Sequence, residues 1–234
     1  MKACLEVGEG GTGAFIPELP GCWVFARNEE RALAKAKSAA SNWYAWAKRH
    51  GEPVAPPTKI KVEPSEVLRV SYNPVEAGKP EPLFWSEVLP VTRQDIGRTL
   101  RLMNHSRRDL LELCRNLDNS RLRRKPNGGP RTIGKCLRHI ASVEWWYITR
   151  LDIDLPTDFP RDLFDLLQYT RDLAERELKR LTKEQRTRIF QPHSDPSPVC
   201  NLWTARKVLR RFVDHERLHA AYIRRALVMR AASS

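Results

Sequence analysis

The stretch Asp214-His215-Glu216-Arg217-Leu218-His219, inside a helical run from about Thr204 to Ala232, decides the reading of this chain. Two histidines four residues apart lie about 40° from each other on a helix that turns about 100° per residue. Stepping by three and four from them traces one seam: Val208, Phe212, His215, His219, Tyr222, Ala226 and Met229. Every member except the two imidazoles is apolar or aromatic. They occupy places where a helix bundle would put leucine. A polar group in such a seam requires a partner, since an unsatisfied one costs roughly 1–3 kcal/mol. Two ring nitrogens aimed at one spot point to a metal ion as that partner.

A third histidine has the same placement. The spacing predicts a helix from Thr132 to about Leu151 with Cys136, His139, Val143 and Trp146 in line and Ile140 and Tyr147 beside them. His139, His215 and His219 thus form a candidate set of three imidazole ligands from two helices, with a further coordination position left open. All-imidazole ligation suits Zn, Ni, Fe or Cu. Carboxylates are expected to orient the rings from behind. Glu216, about 60° from His219 on the helix wheel, either borders the metal in a catalytic role or forms a rim ion pair with an arginine. His50, His105 and His193 are expected at the surface.

The segment His215-Glu216-Arg217-Leu218-His219 also spells HExxH, the zincin signature. In that class the third ligand normally lies downstream. Residues 220–234 hold no Asp, Glu, His or Cys, so the upstream His139 is the better third ligand.

Outward from this pair, the second half of the chain reads as four bundle-length helices: 92–117, 132–151, 161–181 and 204–232. Thr92 with Asp95 makes a capping-box start. The first half differs in kind. Residues 2–7, 13–16 and 22–26 read as short strands around a glycine cluster (Gly8, Gly10, Gly11, Gly13). Asn28 caps a helix that runs to about Arg49 and stops at Gly51. Lys59–Val62 supplies a fourth strand. The expected fold class is therefore α+β: a βββαβ unit at 1–63, a Pro-rich linker at 64–90 with room for a short strand at 67–72, and an all-α four-helix bundle at 91–234. Phe84 and Trp85 are expected to dock the linker.

No apolar run approaches the ~20 residues that span a bilayer. Met1-Lys2-Ala3-Cys4-Leu5-Glu6 is not a signal peptide, and five scattered cysteines are no disulfide framework. A reducing, cytoplasmic setting fits, with no membrane partner. The net charge of +13 is lopsided: residues 1–86 hold 11 Lys/Arg against 10 Asp/Glu, and the remainder 30 against 18. The basic residues are interleaved with acidic ones along helix faces, so solvated faces are expected and a nucleic-acid surface is not.

Two resemblances add to this. Ala14-Phe15-Ile16-Pro17-Glu18-Leu19-Pro20-Gly21-Cys22, followed by Glu29-Glu30-x-Ala32-Leu33-x-x-Ala36, resembles the HicB-like antitoxin domain over about residues 3–63. That resemblance implies a small sheet with a helix on one face and a protein partner. No helix-turn-helix or ribbon-helix-helix candidate accompanies it. Ile133-Gly134-Lys135-Cys136-Leu137-Arg138-His139-Ile140-Ala141-Ser142-Val143-Glu144-Trp145-Trp146-Tyr147, with Asp214–His219, resembles the DinB/YfiT metalloprotein superfamily over about residues 92–230. It implies a four-helix bundle with one metal-binding histidine in the second helix and an HxxxH pair in the fourth. It also implies a divalent transition metal (Zn, Ni or Fe) that activates a low-molecular-weight thiol for transfer or isomerisation, a small-molecule substrate and a homodimer. The reading that follows is a metal-dependent thiol S-transferase. The alternatives are a non-catalytic, metal-stabilised binding module whose HicB-like unit engages a protein, and an HExxH zinc hydrolase.

Overall fold

The computed structural model describes residues 1–74, 82–125, 129–192 and 201–228. The first three strands, β1 (Lys2–Gly8), β2 (Gly11–Phe15) and β3 (Trp23–Ala26), form an antiparallel meander, and β4 (Glu63–Arg69) joins β1 in parallel to give the order β3-β2-β1-β4. β4 starts after the predicted 59–62 and runs from the end of the predicted unit into the linker, where it overlaps the short strand read at 67–72. The chain is pinned to its own first residue there: the Met1 ammonium donates to Lys61 O at 2.8 Å and Glu63 N–H to Met1 O at 3.1 Å. Parallel pairing then begins at Lys2 opposite Glu63. The predicted linker residues Gly78 and Pro80 lie outside the described residues.

Strand alternation sends successive side chains to opposite faces. Ala3, Leu5 and Ala14 face helix α1 (Glu29–Arg49) and pack with its Ala32, Ala40 and Trp43. Cys4 and Phe15 face the other way, onto Phe84. Phe84 is docked as expected, edge-on to Phe15 with 5.1 Å between centroids. Trp85, expected to dock with it, is 78% exposed at the start of the short helix α2 (Trp85–Val88). Asn28 caps α1 by accepting from Arg31 N–H at 3.0 Å, and Gly51 leaves the helix at φ +75°.

The bundle is built from α3 (Arg93–Cys114), α5 (Ile133–Thr149), α6 (Leu163–Arg180) and α7 (Ala205–Val228), with the single turn α4 (Asn119–Leu122) between the first two. α7 packs on α3 and α5, and α6 packs on α5 and α3, which closes a four-membered ring. The Thr92/Asp95 capping box is present. Met229, the last predicted seam position, lies outside the described residues.

Inside the ring lies a buried ionic quartet. Arg107 of α3 donates to Glu216 of α7 at 2.6 Å and to Glu144 of α5 at 2.9 Å. Arg171 of α6 donates to both oxygen sets, reaching Glu216 at 2.9 Å and pairing with Glu144. Ser106 also donates to Glu216. The spare guanidinium donors end on helix carbonyls, Arg107 on Leu167 O at 2.6 Å and Arg171 on Met103 O at 2.7 Å. Two cations and two anions, one pair member from each of the four helices, thus cancel one another with their donors used. A buried ion pair is strong evidence for geometry and weak evidence for net stability, because desolvation offsets attraction.

The sheet unit and the bundle share one apolar core, in which Leu5, Trp43 and Trp46 are continuous with Ile96, Leu100, Val208 and Phe212. Polar contacts run along the same junction. Gly21 N–H donates to Asp214 at 2.6 Å, and Arg217 donates to Gly21 O at 3.1 Å. The Arg217 guanidinium carbon also sits over Trp46, 3.8 Å from the ring centre. Gly21 is required twice over: its φ is +89°, and a Cβ there would collide with the Arg217 side chain. His50 and His105, expected at the surface, are instead stacked face to face in this junction with centroids 4.6 Å apart. His50 pairs with Asp109 and His105 with Glu52, each at 3.1 Å. His193 lies outside the described residues.

Breaking the quartet from one side tests its structural weight. Arg171→Leu leaves Glu144 and Glu216 under-compensated and is expected to lower unfolding free energy by about 3–5 kcal/mol. The measurement is equilibrium urea unfolding, where the midpoint should fall with the slope unchanged.

Candidate metal centre

α5 begins at its N-cap Thr132, whose side chain accepts from Lys135 N–H at 3.2 Å. Its inward stripe places Cys136 and Ile140 in the core and His139 half-buried between α5 and α7. On α7 the four-residue spacing stacks His215, 7% exposed, beneath the half-buried His219. The three predicted histidines come together. His215 Nε2 lies 3.2 Å from His139 Nε2 and 3.0 Å from His219 Nε2, and one ligand atom from each of the three lies within 4.8 Å of the others. The rings meet edge to face, at interplanar angles of 63° to 87°.

Two imidazole nitrogens bound to one ion at the usual metal–nitrogen length sit roughly 2.8–3.4 Å apart, from octahedral to tetrahedral angles. The observed spacings fall in that range. Each neutral imidazole has one lone pair and one N–H. A divalent cation at the centre of the three could engage one nitrogen of each ring at once.

Protonation does not compete with that role near neutral pH. Burial lowers the His139 pKa to about 4, with Arg131 adding to the effect. Burial, His139, Arg131 and Arg211 bring His219 down to about 3. Burial, the neighbouring imidazoles and the same two arginines hold His215 well below the ordinary histidine range. All three rings are therefore neutral, the form that ligates.

Glu216 goes elsewhere. Both of its oxygens are taken up by Ser106, Arg107 and Arg171 on the far side of α7. Burial by itself would raise its pKa, but Arg107 and Arg171 overcome this and hold it at about 2. The rim ion pair of the sequence reading is thus a fully buried one, and the carboxylate does not border the histidines. The expected carboxylate behind the rings is also replaced: His219 Nδ1 has the Cys136 sulfur at 3.3 Å. Cys136 was legible as a seam residue one turn before His139, but nothing in its spacing marked it as the partner of a ring on another helix. Burial pushes its thiol up to about 12, so it remains protonated and neutral.

Of the aromatic run at 145–147, only part faces this place. Tyr147 is buried with its ring edge-on to His215 at 5.9 Å. Trp146 is half-buried against Trp203 at 5.2 Å. Trp145 turns outward and donates to Pro156 O at 3.0 Å.

Known proteins bear on this arrangement. No curated protein matches the chain. One solved structure is similar at 20% identity, covering 68% of this chain and 96% of the other, with a TM-score of 0.46; its description reads "YfiT from Bacillus subtilis is a probable metal-dependent hydrolase with an unusual four-helix bundle topology". The family model of the DinB superfamily matches residues 102–223, over half of the 234-residue chain, from the third turn of α3 to beyond the histidine pair of α7. A bundle with a histidine on α5 facing an HxxxH pair on α7 is what that match spans, and this protein belongs to the DinB superfamily.

Proposed function

We propose that this protein is a metal-dependent transferase acting with a low-molecular-weight thiol, with His139, His215 and His219 holding a divalent transition metal (Zn, Ni or Fe). The observation that carries the reading is the approach of His215 Nε2 to within 3.2 Å of His139 Nε2 and 3.0 Å of His219 Nε2, with one ligand atom from each of the three rings within 4.8 Å of the others. A divalent ion ligated only by neutral imidazoles retains its full charge and lowers the pKa of a coordinated thiol into the neutral range. The chain's own residues do the rest. His215 forms the floor, His139 and His219 the half-exposed rim, and Tyr147 walls one side.

The choice of a thiol over the HExxH hydrolase reading turns on Glu216. Zincin chemistry uses that carboxylate as general base beside the ion. Here it is bound by three donors on the other side of the helix and held at about pKa 2. A thiol needs no such base once its pKa is lowered. Membership of the DinB superfamily supports the same choice, since the resemblance implies thiol activation.

Cys136 fits as an orienting partner. With Nε2 turned to the ion, His219 Nδ1 carries the proton and donates it to the sulfur. A neutral sulfur is a weaker acceptor than a carboxylate, so the imidazole donates less charge and the ion stays more electrophilic.

One observation favours a second reading, a binding module around a structural metal: the HicB-like unit grips the metal-bearing helix through Gly21, Asp214 and Arg217. In that case a protein partner co-purifies with the N-terminal unit, and chelation unfolds the protein with no thiol-dependent activity to lose.

Elemental analysis of the native protein at pH 7–8 is expected to give one metal per chain. His139→Ala and His215→Ala should each remove bound metal and turnover together, while the far-ultraviolet spectrum is kept. Absence of stoichiometric metal in the wild type would sink the reading. For Cys136, Cys136→Ser should keep metal affinity within about threefold, and Cys136→Ala should weaken it by about tenfold or more. The readout is competition with a chromophoric chelator, and equal affinity in all three proteins would leave the sulfur with packing alone.

A further inference from the structure

The turn between β2 and β3, at 17–22, is anchored to three helices. It closes on itself through Leu19 N–H to Ile16 O and Cys22 N–H to Leu19 O, both at 2.9 Å. From α1, the fully buried Trp43 donates its indole N–H to Pro20 O at 2.7 Å. From α3, Arg98 donates to Glu18 O at 2.9 Å. From α7, Arg217 donates to Gly21 O at 3.1 Å, and Asp214 accepts from Gly21 N–H at 2.6 Å. Both backbone groups of one residue are thus bound by a single turn of α7. Leu19 and Cys22 are buried beside it, in the core that the sheet unit and the bundle share.

Asp214 and Arg217 are three residues apart, so they share a face of α7 and differ in height along it by about 4.5 Å. His215 lies between them in sequence, and His219 follows Arg217 by about half a turn. A clip with two prongs at different heights resists sliding, because movement along the axis in either direction lengthens one of its bonds. Rotation is resisted from the other side, by Glu216 in the quartet. The prongs are themselves held. Asp214 also accepts from Arg210 at 2.7 Å, and Arg210 donates to Glu87 of α2 at 2.7 Å. The Arg217 guanidinium carbon is 3.8 Å from the centre of the Trp46 ring. Height matters to the histidines. His139 stands on α5, and its Nε2 is 3.2 Å from that of His215 on α7. A ligand set works when its atoms are held to within about 0.5 Å of the productive geometry. The distance across the two helices is the one that depends on where α7 stands.

We propose that the turn at 17–22 is a positioning element of the histidine site: the Gly21 backbone fixes the height of α7, and so the placement of His215 and His219 against His139. Asp214 and Arg217 are the positioning residues on α7, acting through the histidines beside them. The proposal rests on the metal reading above. It gives a role to a turn outside the matched family region, and it makes that region alone insufficient for the full metal affinity of the site. Glycine is the residue the clip needs. A Cβ at Gly21, whose φ is +89°, would collide with the side chains of Arg217 and Val213.

Cobalt(II) bound to the full-length protein is the probe. Competition with a chromophoric chelator gives its affinity, and its ligand-field bands report the geometry of the ligand set. Gly21→Ala strains the turn from its own side and leaves every residue of α7 in place. It is expected to weaken cobalt binding by about tenfold or more, the scale on which loss of a ligand's support acts, and to shift the bands. Asp214→Ala should do the same. Asp214→Asn keeps an acceptor for Gly21 N–H and should stay within about threefold of wild type. Glu52→Gln is the control. It removes the charge that holds Arg101 and His105 on the α1–α3 side of the same junction. It should lower the urea midpoint with cobalt affinity and bands unchanged. Wild-type affinity and bands in either Gly21→Ala or Asp214→Ala overturn the positioning role and leave the metal reading intact. So does an equal loss in Glu52→Gln, the mark of general loosening, and so does a loss in Asp214→Asn equal to that in Asp214→Ala. Should Gly21→Ala and Asp214→Ala not fold, Arg217→Met decides. It keeps the packing over Trp46 and removes the donor to Gly21 O, and unchanged affinity and bands there overturn the proposal. A wild type that takes up no cobalt overturns the metal reading first, and the positioning role with it.

Discussion

The orientation of α7 about its own axis is the constraint on which this molecule turns. The ionic quartet fixes it. Glu216 is buried against Arg107 of α3 and Arg171 of α6, and Glu144 of α5 completes the set. Ion pairs in a low-dielectric interior tolerate little displacement, because separating them exposes uncompensated charge with no water to receive it. With Glu216 locked toward the interior, the helix has no rotational freedom left. His215, about 100° away, must then face α5, where His139 waits.

The same turn of helix meets a third requirement. Asp214 accepts from Gly21 N–H and from Arg210, and Arg217 donates to Gly21 O while covering Trp46. Five of the six residues of Asp214–His219 thus have partners in one of three directions, the sheet unit, the histidine cluster or the quartet, and Leu218 is 43% exposed. The N-terminal unit is outside the matched family region, yet its turn at Gly21 grips the histidine-bearing helix on both sides of His215. The two parts share a core, so the sheet unit bears on the site through α7 and needs no ligand contact of its own to do so.

What could be read from the chain and what could not divides along a physical line. Periodicity reports which face of a helix is buried. It therefore exposed the histidines as polar groups in an apolar seam, and capping chemistry placed the starts of α1 and α3 at Asn28 and Thr92. It does not report what a buried face meets. Glu216 looked like a charge near the rim because its partners, Ser106, Arg107 and Arg171, stand 45 to 110 residues away on other helices. His105 pointed off its own seam and so looked solvated, but α1 and Glu52 cover it. The start of β4 escaped notice because the strand opens with Glu63, Pro64 and Ser65. Its position is set by pairing with β1 and by the pinned amino terminus rather than by its own pattern.

Separating the buried carboxylates from the histidines also determines the electrostatic character of the centre. A glutamate free to swing toward His215 would offer the ion an anionic ligand and cancel half of its charge. Arg107 and Arg171 prevent this while keeping Glu216 ionised, so the quartet is closed electrically as well as sterically. The histidine triad keeps neutral nitrogens, with the neutral sulfur of Cys136 behind His219. A cation placed there would keep its full pull on whatever takes its open position. The two halves of the helix segment thus serve one end: one carboxylate is sequestered so that the opposite face can remain electron-poor.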